Sequence, residues 1–135
     1  EAGIGKSHLL ADVITSRNKD GNQSLFLLGQ HFVTEEDPWT QIKKKLDITC
    51  SSHQFFGAIN AKAESNKQRI LLFIDAINEG KGRYFWPDSI RGFAQNFKKY
   101  PWLGLVISVR SSYSNLLIPE ELISKKRIAL HFSNI

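Results

Sequence analysis

The chain has 135 residues, 18 basic against 13 acidic, and a formal net charge of +5. That length suits one domain, and 41% hydrophobic with 23% charged residues is a globular composition that disfavours a disordered chain. No apolar run approaches the roughly 20 residues of a membrane-spanning helix, and no cationic start leads into an apolar stretch, so neither a membrane helix nor a signal peptide is expected. A single cysteine, Cys50, excludes an internal disulfide and fits a reducing compartment, so the expected location is the cytoplasm.

Hydrophobic spacing predicts a first helix from Lys6 to Asn18, with Leu9, Leu10, Val13 and Ile14 on one face. A turn over Asn18 to Asn22 then leads to a strand at Leu25–Leu28, closed by Gly29. Asp37-Pro38 reads as an N-cap followed by proline at the first helical position, with Trp39, Ile42 and Leu46 as the stripe. Ser51 and Gln54 fit a capping box, and Phe55, Ile59 and Ala63 form the expected inner face of the next helix. Ile70–Ile74 is a wholly apolar strand of the kind covered on both faces. A loop with Gly80 and Gly82 follows, holding the aromatic run Tyr84-Phe85-Trp86, before a helix marked by Ile90, Phe93, Ala94 and Phe97. Leu103–Val109 is a second buried strand, Glu120–Lys126 a short helix and Ile128–Phe132 a last strand. Apolar strands alternating with helices imply an α/β sheet with helices on both faces and ligands at the carboxyl ends of the strands.

Three signals at those positions carry chemistry. Glu1-Ala2-Gly3-Ile4-Gly5-Lys6-Ser7 matches the second part of a phosphate-binding loop, four variable residues and then Gly-Lys-Ser. Such a loop turns backbone N–H groups toward phosphate oxygens at a helix N-terminus. Lys6 would neutralise the terminal phosphates and the Ser7 hydroxyl would reach Mg²⁺, with Gly3, Ile4, Gly5 and the adjoining His8 completing the cradle. The plain alternative is a Gly-rich turn before an ordinary helix. Asp75 ends the Ile70–Ile74 strand, as does the acid that holds Mg²⁺ in the second phosphate-loop element; a helix cap or turn is the alternative. Glu79, close behind it, is the candidate to polarise an attacking water, against a solvated loop residue. Arg110 ends the second buried strand, where it would sense the terminal phosphate or stabilise transition-state charge, against a surface or acid-paired arginine.

In this order the three signals resemble the P-loop NTPases, and more narrowly the signal-transduction NTPases of the NACHT and STAND type. Ile74-Asp75-Ala76-Ile77-Asn78-Glu79 resembles the second motif Asp-Gly/Ala-apolar-Asp-Glu, with Asn78 replacing the second Asp. Ser108-Val109-Arg110 resembles the strand-end Ser-x-Arg of these families. Leu27-Leu28-Gly29-Gln30-His31-Phe32 with Pro38-Trp39 looks most like bacterial STAND ATPases, including antiphage defence types. The resemblance implies a three-layer P-loop core with a mostly parallel sheet in the order 5-1-4-3-2. It also implies ATP and Mg²⁺ as ligands, with Lys6 on the β/γ phosphates, Ser7 and Asp75 on the metal, Glu79 on water and Arg110 as phosphate sensor. The expected function is an ATP-binding, ATP-hydrolysing switch that self-oligomerises in a larger signalling or defence protein. Asn78 cannot accept a proton, so slow turnover or a non-hydrolysing nucleotide-gated scaffold is the alternative; a nucleic-acid-dependent AAA+-like ATPase is another. ATP is favoured over GTP, because Asn66-Lys67-Gln68-Arg69 fails the guanine motif in sequence and in placement.

Lys43-Lys44-Lys45, Lys98-Lys99 and Lys125-Lys126-Arg127 would suit nucleic acid, but lack interleaved aromatics and read as solvated helix faces. His8, His31, His53 and His131 have no cysteine at ligand spacing, so zinc is not expected. The chain has no Met and begins inside the phosphate loop, so residues 1–135 are expected to be part of one NTPase domain. The strand before the loop would then be missing, with a gap of unpaired backbone between its two neighbours and poor folding of the segment alone.

Overall fold

The computed structural model describes residues 23–123 and 128–133. It is an α/β structure with the elements β1 (Ser24–Leu28), α1 (Pro38–Leu46), α2 (Ser52–Asn66), β2 (Ile70–Asp75), α3 (Gly82–Lys99), β3 (Leu103–Arg110), α4 (Ser111–Leu117), α5 (Glu120–Ile123) and β4 (Ile128–Ser133). The four strands form a parallel sheet in the order β1-β2-β3-β4. The expected helix and turn over residues 6–22 lie outside the described residues.

Local signals place the first helices where the sequence reads them. Asp37 Oδ2 accepts a hydrogen bond from Thr40 N at 3.2 Å, and Pro38 opens α1. At α2 the capping box is complete: Ser51 Oγ accepts from Gln54 N and Gln54 Oε1 accepts from Ser51 N, both at 3.1 Å. Phe56 and Ala63 are buried on that helix, while Phe55 and Ile59 are half-buried, so the inner face is rotated from the expected one. Phe56 is drawn inward by Trp39, Phe97 and Tyr100, whose rings all lie 5.1 to 6.1 Å from its own.

Strand residues alternate between two faces. Leu27, Leu72, Ile74, Leu105 and Ile107 share one face and one core with Ile42 of α1, Phe56 of α2, Ile90 and Phe97 of α3, and Leu117 of α4. Each strand-to-strand step runs the same way across the sheet, so right-handed crossovers bring the described helices to a single face. Helices on both faces are thus not seen among the described residues. Phe73, on the opposite face, is buried as well.

Two elements differ from expectation. Helix α3 starts at Gly82 and takes in Tyr84-Phe85-Trp86, despite Pro87 as its sixth residue. Proline inside a helix costs about 3 kcal/mol. Burying Phe85 and Trp86 offsets that cost, a fully buried Phe side chain alone contributing about 2 kcal/mol. Helix α4, seven residues long and directly following β3, is the other addition.

The expected gap in the sheet is also absent. Strand β4 pairs directly with β3 from Leu105↔Ile128 to Arg110↔Ser133. Its backbone thus takes up hydrogen-bonding groups along that edge of β3 that would otherwise lack partners.

Candidate functional site

Parallel strands bring their carboxyl ends to one edge, and three of them carry the features the sequence singles out. Leu28 is in register with Asp75, so Gly29 begins beside the end of β2. Ser108 and Arg110 lie on the same face of β3, two residues apart. Asp75 of β2 belongs to that face too, as its contact with Ser108 requires.

Asp75 is 2% exposed, and Ser108 is fully buried. Ser108 Oγ lies 2.6 Å from Asp75 Oδ1 and 2.7 Å from Ala76 N. A backbone N–H can only donate, so Ala76 fills a lone pair of the hydroxyl. The single Ser108 proton is therefore directed to Asp75. This is a short hydrogen bond, and it supplies a partner of the kind a buried polar side chain requires.

The segment after β2 is stitched to both neighbouring strands. Toward β3, Ile77 N donates to Ser108 O at 3.0 Å, and Asn78 Oδ1 accepts from Arg110 N at 3.0 Å. Toward the end of β1, Lys81 N donates to Phe32 O at 2.7 Å. Two backbone positions make this possible. Ala76 has φ +59°, in the left-handed region that costs a non-glycine residue energy. At Gly29 a Cβ atom would lie 1.9 Å from Ala76 O, so only glycine lets the two segments approach.

Asp75, Asn78 and the backbone of Arg110 thus belong to one hydrogen-bonded cluster. The half-buried Arg110 caps the N-terminus of α4 by backbone position, with no side-chain cap bond. Glu79 lies in the same loop; its backbone N–H bonds to Ala76 O at 3.0 Å, and its side chain is exposed. The candidate cradle of Gly3, Ile4, Gly5, Lys6, Ser7 and His8 lies outside the described residues. Ser108, quoted in the sequence only as part of Ser-x-Arg, is the joint of the cluster. Strand alternation places it on the face of Arg110, but the register that brings it to Asp75 is a tertiary fact.

Among the described residues no group of three or more His, Cys, Asp or Glu side chains gathers to hold a metal. Mg²⁺ is commonly held by one or two carboxylates, with waters and phosphate oxygens completing six positions, so a single buried Asp75 fits it. His53 is engaged elsewhere, 2.6 Å from Tyr100 OH through Nδ1.

The lysine clusters occupy helix ends. Lys43-Lys44-Lys45 form the last turn of α1 and Lys98-Lys99 that of α3, where cations complement the helix dipole. Lys125-Lys126-Arg127 lie outside the described residues. Beside the candidate site, Lys81 and Arg83 sit 5.4 and 5.3 Å from the ring centre of the exposed Tyr84. The hydrogen bond that the Arg83 guanidinium donates to the Tyr113 hydroxyl, and after it the one to Tyr84, hold the guanidinium above its ordinary pKa. No described helix is long and apolar enough to cross a membrane. A scan against protein-family models found no match, and neither did searches of curated proteins and of solved structures.

Proposed function

We propose that this chain is the core of a P-loop-type, ATP-binding switch domain that hydrolyses ATP slowly with Mg²⁺. The observation that carries the reading is Asp75, buried at the end of a central strand and tied through Ser108 to the strand that ends in Arg110. The order β1-β2-β3 matches the 2-3-4 portion of a 5-1-4-3-2 sheet. Strand β4 occupies the place beside β3 that this order gives to the strand before the phosphate loop.

In this reading Gly3, Ile4, Gly5 and Lys6 bind the phosphates, with His8 at the margin. Ser7 and Asp75 would hold Mg²⁺, which neutralises phosphate charge when bound. Arg110 contacts the terminal phosphate, and Glu79 polarises the attacking water. Self-association through the longer protein, in a signalling or defence role of the STAND and NACHT type, is the expected output. ATP affinity measured with Mg²⁺ and with EDTA tests the site. Wild type should bind more tightly with Mg²⁺, and Asp75→Asn should lose most of that difference; an unchanged difference rejects Asp75 as the metal-side acid.

One observation favours a second reading, a nucleotide-gated scaffold without turnover. The exposed Glu79 carboxylate accepts no hydrogen bond from any described residue, so no such bond aims it. Single-turnover hydrolysis separates the two. A wild-type rate that falls about a hundredfold in Glu79→Gln rejects the scaffold.

A further inference from the structure

Strand β2 ends at Asp75, whereas β3 continues to Arg110. Three consecutive residues beyond β2 bind the end of β3: Ala76 N to Ser108 Oγ, Ile77 N to Ser108 O, and Asn78 Oδ1 to Arg110 N. The last bond is the only one of the three in which a loop side chain holds β3 backbone. Because Arg110 N can only donate, the Asn78 amide must present its oxygen there. That oxygen is committed to a backbone hydrogen bond, and an amide does not take up a proton near neutral pH.

We infer that Asn78 is a positioning residue. Its side-chain oxygen fixes the backbone of Arg110 where β3 passes into α4, and so sets where the arginine meets the terminal phosphate of a nucleoside triphosphate. This rests on the ATP reading above. The feature this positioning needs is an acceptor oxygen at that reach, and acidity is not required for it. Asp fulfils it as Asn does, and Ala does not.

The test uses the full chain as wild type, Asn78→Ala and Asn78→Asp. Two quantities are measured: the ratio of MgATP to MgADP affinity by calorimetry, and hydrogen–deuterium exchange of the peptide spanning Arg110. Wild type should prefer ATP. Asn78→Ala should lose about fivefold of that preference, the scale of one neutral hydrogen bond, and exchange faster at Arg110. Asn78→Asp should keep the slow exchange and most of the preference. A wild type without preference for ATP overturns the ATP reading and this inference together. A wild type that prefers ATP, with an Asn78→Ala variant unchanged in ratio or in exchange, overturns the inference alone. Loss in Asn78→Asp equal to that in Asn78→Ala also overturns it, because the acceptor would then be irrelevant.

Discussion

Ser108 donates its hydroxyl proton to Asp75 across 2.6 Å while accepting the Ala76 N–H across 2.7 Å. One buried side chain thereby joins the acidic end of β2, the turn after it and the strand that carries Arg110. Removing that hydroxyl takes one hydrogen-bond partner each from the buried Asp75 side chain and from the Ala76 N–H. Ser108→Ala should therefore destabilise the fold by about 3 kcal/mol, measured as a lower urea midpoint with an unchanged slope.

The turn after β2 depends on backbone geometry at Ala76 and Gly29. Ala76 at φ +59° is in a region glycine occupies freely. Ala76→Gly should stabilise by about 0.5 kcal/mol, the relief of strain exceeding the entropy glycine adds to the unfolded chain. Gly29→Ala should cost more than about 2 kcal/mol, since its Cβ would lie 1.9 Å from Ala76 O. Thermal unfolding of both variants checks the pair, and opposite signs are expected.

Helix α2 is held at its start by a reciprocal pair of hydrogen bonds. Ser51→Ala should destabilise by about 1 kcal/mol, read from denaturant unfolding. Ser51→Asp should cost little, because a carboxylate also caps the Gln54 N–H.

Glu36 titrates below the ordinary glutamate range, chiefly through its hydrogen bond with Lys44 and secondarily through that with Thr34. Since the folded-state value is the lower one, its stabilisation is present above the unfolded glutamate pKa. It is lost as pH falls through the folded value. Lys44→Ala should move the Glu36 midpoint back up, visible in a carboxyl NMR titration. The pair is exposed, so added salt should weaken the effect.

Much of the fold is legible where the cause is local. Asp37-Pro38 and Ser51 with Gln54 announce helix starts because caps act within four residues. The runs Ile70–Ile74 and Leu103–Val109 announce strands because burial on both faces removes polar alternation. Distant causes are not legible in the same way. Gly80 and Gly82 read as a loop that takes in Trp86 until the packing of that ring on Phe32, Phe85 and Phe93 is known. The direct pairing of β3 with β4 cannot be read from either segment alone. At the candidate site Asp75 and Arg110 are visible as strand ends, whereas Ser108 becomes meaningful only once register sets it against Asp75. Asn78 reads as a lost acid in the motif, yet in the fold it is an acceptor for Arg110 N.

The proposal that this fold serves ATP is tested most directly by the affinity of the full chain for MgATP, wild type against Lys6→Ala. A lysine paired with phosphate contributes a charge-assisted interaction, so the variant should bind at least about tenfold more weakly. Equal affinity in the two, or no binding by wild type, would contradict a phosphate cradle at Gly5-Lys6-Ser7.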